Sequence, residues 1–290
     1  MNKISVIAPA NSIIGEKNKN LLNLGRDKLE LCGFEVEYEK NIFSDSLYSN
    51  TGTIAEKIED LNAAFLKDSN IILCATGGIN SNCILEFIDK KIIKEKAHKK
   101  IFIGNSNNTI LLNYLSEFFS VKCFLGSNLK GIGKNEAKLS LKNFKEKIIE
   151  KKKYLIFSKQ PIIVNEGKSE GITFGGNGAS LRRIIGTKYF PSFDNKIFVL
   201  EFSSKENTPI EVLSILSQLK QIEVFDKISG LILGEYSEEL SIKELVFDYV
   251  KDKKYPVIIT DDIGHSIETT FIPIGTRIRI DTNNNCYIEK

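Results

Sequence analysis

The chain has 290 residues, of which 42% are hydrophobic and 27% charged, enough to bury a sizeable core and too apolar for a disordered polypeptide. Basic residues number 40 against 37 acidic ones, a formal net charge of +3, which offers no footing for a nucleic-acid partner. No apolar stretch reaches the length that spans a bilayer, and five widely spaced cysteines without a C-x-x-C pair exclude a zinc knuckle or redox motif and fit a reduced, cytoplasmic protein.

Along the chain, MNKISVIAPANS passes from a short apolar run straight into polar sequence, which reads as a first strand (Lys3 to Pro9) rather than a signal peptide. Leucines at helical spacing from Leu21 to Leu31 predict a helix that stops at Gly33, and alternation over Phe34 to Glu39 predicts a second strand. Thr53 to Leu66 is an amphipathic helix; Asn70 to Gly78 is a buried strand ending in two glycines; Cys83 to Ile88 opens a helix. KIFIG then leads as a strand into Ser106, and VKCFLG (Val121 to Gly126) is the next. This rhythm predicts an α/β fold with a parallel, Rossmann-like sheet carrying helices on both faces, over residues 1–135. Functional loops of such sheets lie beyond the carboxyl ends of the strands, where both the Gly77-Gly78 turn and Ser106 fall. No G-x-G-x-x-G follows the first strand, which argues against a dinucleotide-binding enzyme.

From Asn135 to Lys153, apolar residues at helical spacing among lysines and glutamates predict one charged connecting helix, assigned to 136–153. Beyond Tyr154 the sequence is richer in strands: YLIFS, PIIV, GITFGG, KIFVLEFSS, ISGLILGEY, PVIITDDIG and RIRID. Residues 154–290 are therefore expected to form a β-rich α/β domain, with the active site between the two domains.

Three residues stand where chemistry is conceivable. Ser106 occupies an abrupt strand-to-helix junction, Gly104-Asn105-Ser106-Asn107-Asn108, where serine and asparagine also serve as helix caps and where the second glycine of G-x-S-x-G is missing. Glu201 ends an apolar strand, where a charge is costly without a partner. His265 follows a strand and a glycine, whereas His98, the only other histidine, lies in the charged stretch KEKAHKK and reads as surface. Serine, histidine and a carboxylate are what acyl transfer to a hydroxyl nucleophile requires, but from spacing alone a cap, an edge-of-strand charge and a loop histidine are the favoured explanations. Asn177 in GGNGAS is either a turn device or a substrate contact, and Asn80 and Asn82 either cap the following helix or touch substrate.

The sequence resembles the serine peptidase family that contains the LD-carboxypeptidases of murein recycling and the microcin C self-immunity (MccF-like) proteins. The motifs run in order over nearly the whole chain: APANS, ATGGINSN (75–82), FIGNSNNT around Ser106, GGNGASL from Gly175, IIGT, VLEFSSKE around Glu201, ISGLILG and GHSIETTFIPIG. The resemblance implies a serine hydrolase acting on a small peptide or peptidyl-nucleotide, without metal or organic cofactor. It places the nucleophile on Ser106, the histidine on His265 and the glutamate on Glu201. The oxyanion hole falls on backbone N–H groups of Gly77, Gly78 and Asn107, a role that needs only the main chain. Substrate contacts fall on Asn177 and Asn80, and relatives commonly form homodimers. The microcin-immunity branch matches more nearly, since Gly77-Gly78-Ile79-Asn80-Ser81-Asn82 keeps its pattern and Thr76 stands where LD-carboxypeptidases carry arginine. The chain departs from the family at its turn, G-N-S-N instead of G-Y-S-D, and has no tryptophan to stack on a nucleotide base. A degenerate relative that binds a peptide or murein fragment without cleaving it is the alternative.

Overall fold

The structure, a computed structural model, describes residues 2–46, 51–134, 136–155, 157–203, 207–236, 240–264, 269–284 and 286–289. Five apolar runs of the first half form parallel strands: β1 (Asn2–Ile7), β2 (Phe34–Tyr38), β3 (Ile71–Cys74), β4 (Ile101–Gly104) and β5 (Lys122–Leu125). Every residue of β3 is buried, as expected when helices cover both faces of a parallel sheet. On one face the helix Glu16–Leu31 contributes Leu22 and Leu29; on the other, Ile54–Leu66 contributes Leu61, Ala64 and Phe65. Thr53 starts the latter through a capping box with Glu56. The order β2-β1-β3-β4-β5 reverses between β1 and β3, and ligand crevices of such sheets open beyond the strand ends near that reversal.

A second sheet follows. Strand β6 (Ile162–Asn165) pairs antiparallel with β10 (Val257–Thr260), while β7 (Lys168–Asn177), β8 (Ile197–Glu201), β9 (Gly230–Gly234) and β10 run parallel. The chain then crosses back: β11 (Ile272–Ile274) pairs antiparallel with β5 of the first sheet. Finally β12 (Arg277–Asp281) pairs with β7, and β13 (Cys286–Glu289) with β12. The architecture is thus α/β, with a parallel N-terminal sheet and a second sheet beside it, as the sequence predicts. No helix among the described residues is long and apolar enough to cross a membrane.

Three local expectations change. Among the described residues of YLIFS, Tyr154 makes an isolated bridge to Ile288 in place of a regular strand, and the Ser158 hydroxyl bonds the Asp262 carboxylate at 2.6 Å. The connecting helix is confined to Lys138–Ile148; Lys151 turns into the left-handed region at φ 52° and Lys152 N–H caps the Glu146 carbonyl at 3.0 Å. The segment after Asn82 forms a short 3-10 turn, Ser81–Ile84, and the regular helix waits for Asp89, which caps Lys90–Lys96.

Candidate active site

Ser106 stands one residue beyond Asn105 at the carboxyl end of β4, and its backbone is left-handed at φ 55°. That conformation costs a non-glycine residue about 1–3 kcal/mol and persists only where neighbours impose it. Neither the turn Ser106–Asn108 nor the helix Thr109–Phe119 has a side-chain cap, so the capping explanation of the serine does not apply.

What imposes the conformation is a set of amides. Asn128, in the loop after β5, accepts from Asn105 N–H at 3.2 Å, donates to the Asn105 side-chain oxygen, and accepts from Asn108 Nδ2 at 3.3 Å. Asn108 also donates to the Thr76 carbonyl at 2.9 Å. Asn107 is fully buried: its Oδ1 accepts from Ser81 N–H at 2.7 Å, its carbonyl accepts from Ser81 Oγ at 2.7 Å, and its Nδ2 donates to Ser180 Oγ at 3.3 Å. The loop after β3 closes the other side. A Cβ on Gly77 would lie 2.6 Å from Ser106 Cβ and 2.8 Å from its Oγ, so only glycine lets this backbone reach the serine. Asn11, from the APANS stretch, braces the turn by accepting from Ile79 N–H at 2.9 Å, and Gly78 there has φ 137°. Among the described residues, the N–H groups of Gly77, Gly78 and Asn107 donate to no protein acceptor. Asn80 is exposed at φ 74° and makes no capping bond. The Cys74 thiol, fully buried at the end of β3, is raised well above the usual range by burial and stays a neutral, inert group.

The second sheet brings its strand ends to the same place. Asn177 ends β7 and stands in register with Glu201, which ends β8. Asn177 N–H donates to Thr109 Oγ1 at 3.0 Å, and Asn113 clamps Gly175 from both sides, accepting from its N–H and donating to its carbonyl at 2.8 Å each. The helix that starts just after Ser106 therefore fixes the strand beside Glu201. Apolar side chains extend the same contact, Ile110, Leu111 and Tyr114 sharing one core with Ile184, Tyr189 and Ile197.

Glu201 is wholly buried, between Gly234 and Gly264. A Cβ on Gly264, whose φ is 106°, would lie 2.9 Å from Glu201 Oε2. The residue after Gly264 is His265, which lies outside the described residues. Asn105 and Gly264, each preceding a predicted catalytic residue, line one narrow recess of about 10 Å³ together with Leu125, Gly126, Asp262 and Thr270. Asn177 fills the structural role the sequence offered: its Oδ1 caps the helix Gly178–Arg182 by accepting from Ser180, while its buried Nδ2 has no acceptor among the described residues. Sequence reasoning missed Asn113, Thr109, Asn128 and Ser180, since each matters through a partner distant in the chain.

Comparison with known proteins finds relatives over nearly the whole chain. The family model for the LD-carboxypeptidase N-terminal domain matches residues 4–126, and that for the C-terminal domain matches residues 170–280. The chain is 27% identical to the microcin C7 self-immunity protein MccF of Escherichia coli, over 92% of this chain and 87% of that protein. It is 25% identical to a probable murein peptide carboxypeptidase of Bacillus subtilis, over 96% and 88% respectively. The solved structure of MccF in complex with glutamyl sulfamoyl guanosine has the same fold, with a TM-score of 0.88 at 23% identity, covering 100% of this chain and 96% of that one.

Proposed function

We propose that this chain, which belongs to the LD-carboxypeptidase family, is a serine hydrolase that cleaves an amide bond in a small peptide-derived substrate, a murein peptide or a peptidyl-nucleotide. Ser106 is the nucleophile, His265 its general base, and Glu201 the carboxylate that fixes the imidazole tautomer and stabilises the imidazolium. The observation that carries this reading is the left-handed backbone of Ser106 against Gly77, at a strand end where three backbone N–H groups have no acceptor among the described residues. In the reaction, Ser106 Oγ attacks the substrate carbonyl and gives its proton to His265, which returns it to the leaving amine; a water then releases the acyl group by the same route. The developing oxyanion is received by Gly77, Gly78 and Asn107 N–H, donors already in position before the charge forms. Asn177, through its Nδ2, and Asn80, at the exposed rim, contact the substrate. This scheme requires no cofactor. It includes a cytoplasmic homodimer, supported by the family resemblance and tested by light scattering on the purified protein.

Incubation with a murein tetrapeptide and with aspartyl sulfamoyl adenosine, followed by mass spectrometry, tests the activity. At least one is expected to be hydrolysed. Ser106→Ala and His265→Ala should each lower the rate by roughly a thousandfold or more, and the double variant should be no worse than either, because the two act on one transition state. Binding without cleavage of either compound would favour the degenerate alternative; losses that multiply in the double variant would remove the triad.

A further inference from the structure

Two buried amides flank the contact between the lobes, and each is oriented by a donor that cannot reverse. Ser81 N–H faces Asn107 Oδ1 at 2.7 Å, so the Asn107 nitrogen must point the other way, where Ser180 Oγ lies 3.3 Å off. Ser180 N–H faces Asn177 Oδ1 at 3.0 Å, so the Asn177 nitrogen must turn away from the helix it caps. Between them stands a hydroxyl with a single hydrogen. Because Asn107 delivers a hydrogen to Ser180 Oγ, the serine's own hydrogen goes to Asn177 Oδ1, 2.8 Å away. All three residues are at most 2% exposed, so water does not compete for these bonds.

We infer that Asn107 and Ser180 are positioning residues: a one-way hydrogen-bond chain, Asn107 to Ser180 to Asn177, holds the Asn177 NH2 as a fixed donor for the substrate. The inference rests on the proposed substrate contact of Asn177 and extends it across the lobe contact to the residue after the nucleophile. It also gives the Asn107 side chain a task that the oxyanion role, made by its main chain, does not need. An aspartate there has no hydrogen to give. Ser180 would then donate to residue 107 and turn lone pairs toward Asn177 Oδ1, breaking the chain at that link.

Kinetics on whichever of the two substrates is cleaved provide the first test. Ser180→Ala should raise KM about tenfold, the scale of one hydrogen bond, with kcat within about threefold. Ser180→Thr, which keeps the hydroxyl, should restore most of the loss. Ser180→Ala combined with Asn177→Ala should be no worse than Asn177→Ala alone, since Ser180 acts through Asn177. Losses that multiply, a fall in kcat at constant KM, or no rescue by threonine overturns the proposal. A second measurement needs no turnover. In the free protein, the side-chain NH2 resonances of Asn177 should shift in Ser180→Ala and in Asn107→Asp and return toward wild type in Ser180→Thr. Unmoved resonances overturn the chain even in an active hydrolase, whereas shifted resonances in a protein that cleaves neither compound uphold the chain and leave the proposed reaction refuted.

Discussion

Around Ser106 the fold uses side chains: Asn105, Asn107, Asn108 and Asn128 tie the turn to the loops beside it through amide hydrogen bonds. Beside Glu201 it sets two glycines, Gly234 against the Cβ and Gly264 against the carboxylate. The first arrangement is a sum of separate directional bonds and should fail by degrees. At the two glycines the contact is steric, and in a close-packed interior a single added carbon must displace something.

Gly264→Ala breaks the comparison at its harder end. The new Cβ would meet Glu201 Oε2 at 2.9 Å, on a backbone at φ 106° that alanine adopts only under strain of about 1–3 kcal/mol. Displacement of a catalytic group by about 1 Å costs on the order of a hundredfold, so under the role proposed for Glu201 hydrolysis should fall by at least that much, read from kcat/KM. Asn128→Ala tests the graded side. It removes the partner of Asn105 and Asn108, and denaturant titration should show a loss of roughly 1–3 kcal/mol, with activity reduced several-fold rather than abolished. If Asn128→Ala were as damaging to activity as Gly264→Ala, the contrast between the two regions would be wrong.

A second carboxylate sharpens the point. Glu56 is held by donors, Thr53 N–H at 2.7 Å and Ser44 Oγ at 2.8 Å among them, and hydrogen bonds from Ser46 and Thr53 bring its pKa down to about 2. A carboxyl whose pKa is lower in the folded state stabilises above the unfolded value of 4.5, and that contribution disappears as pH falls through about 2. Because Glu56 is partly exposed, solvent screening keeps its effect at the scale of a helix cap. Glu56→Ala should cost about 1 kcal/mol at neutral pH, without change in kcat, and the gap to wild type should close in acid. This is the smallest of the expected effects.

Strand runs such as IILC and IFVLE were legible because burial on both faces leaves an unbroken apolar stretch. The turn at Ser106 was legible as a junction, though not as a left-handed one, because serine and asparagine suit a cap as well as an elbow. Asn107 read as a backbone donor alone; its side-chain partners, Ser81 and Ser180, are 26 and 73 positions away, and no local pattern marks such contacts. β11 went unread for a related reason. Three residues with a central proline carry no period, and they become a strand only because β5 offers an edge.

That edge has a consequence for how the protein is made. On the ribosome, β1 to β5 emerge early, yet the strand that covers β5 follows nearly 150 positions later, from Ile272 to Ile274. Until then Cys123, Phe124 and Leu125 present an open, apolar strand border of the kind that pairs with other chains. Synthesis at about 5–20 residues per second leaves this border uncovered for seconds to tens of seconds. Nascent chains stalled between β5 and β11 should therefore depend on chaperones for solubility, and that dependence should end once β11 clears the exit tunnel.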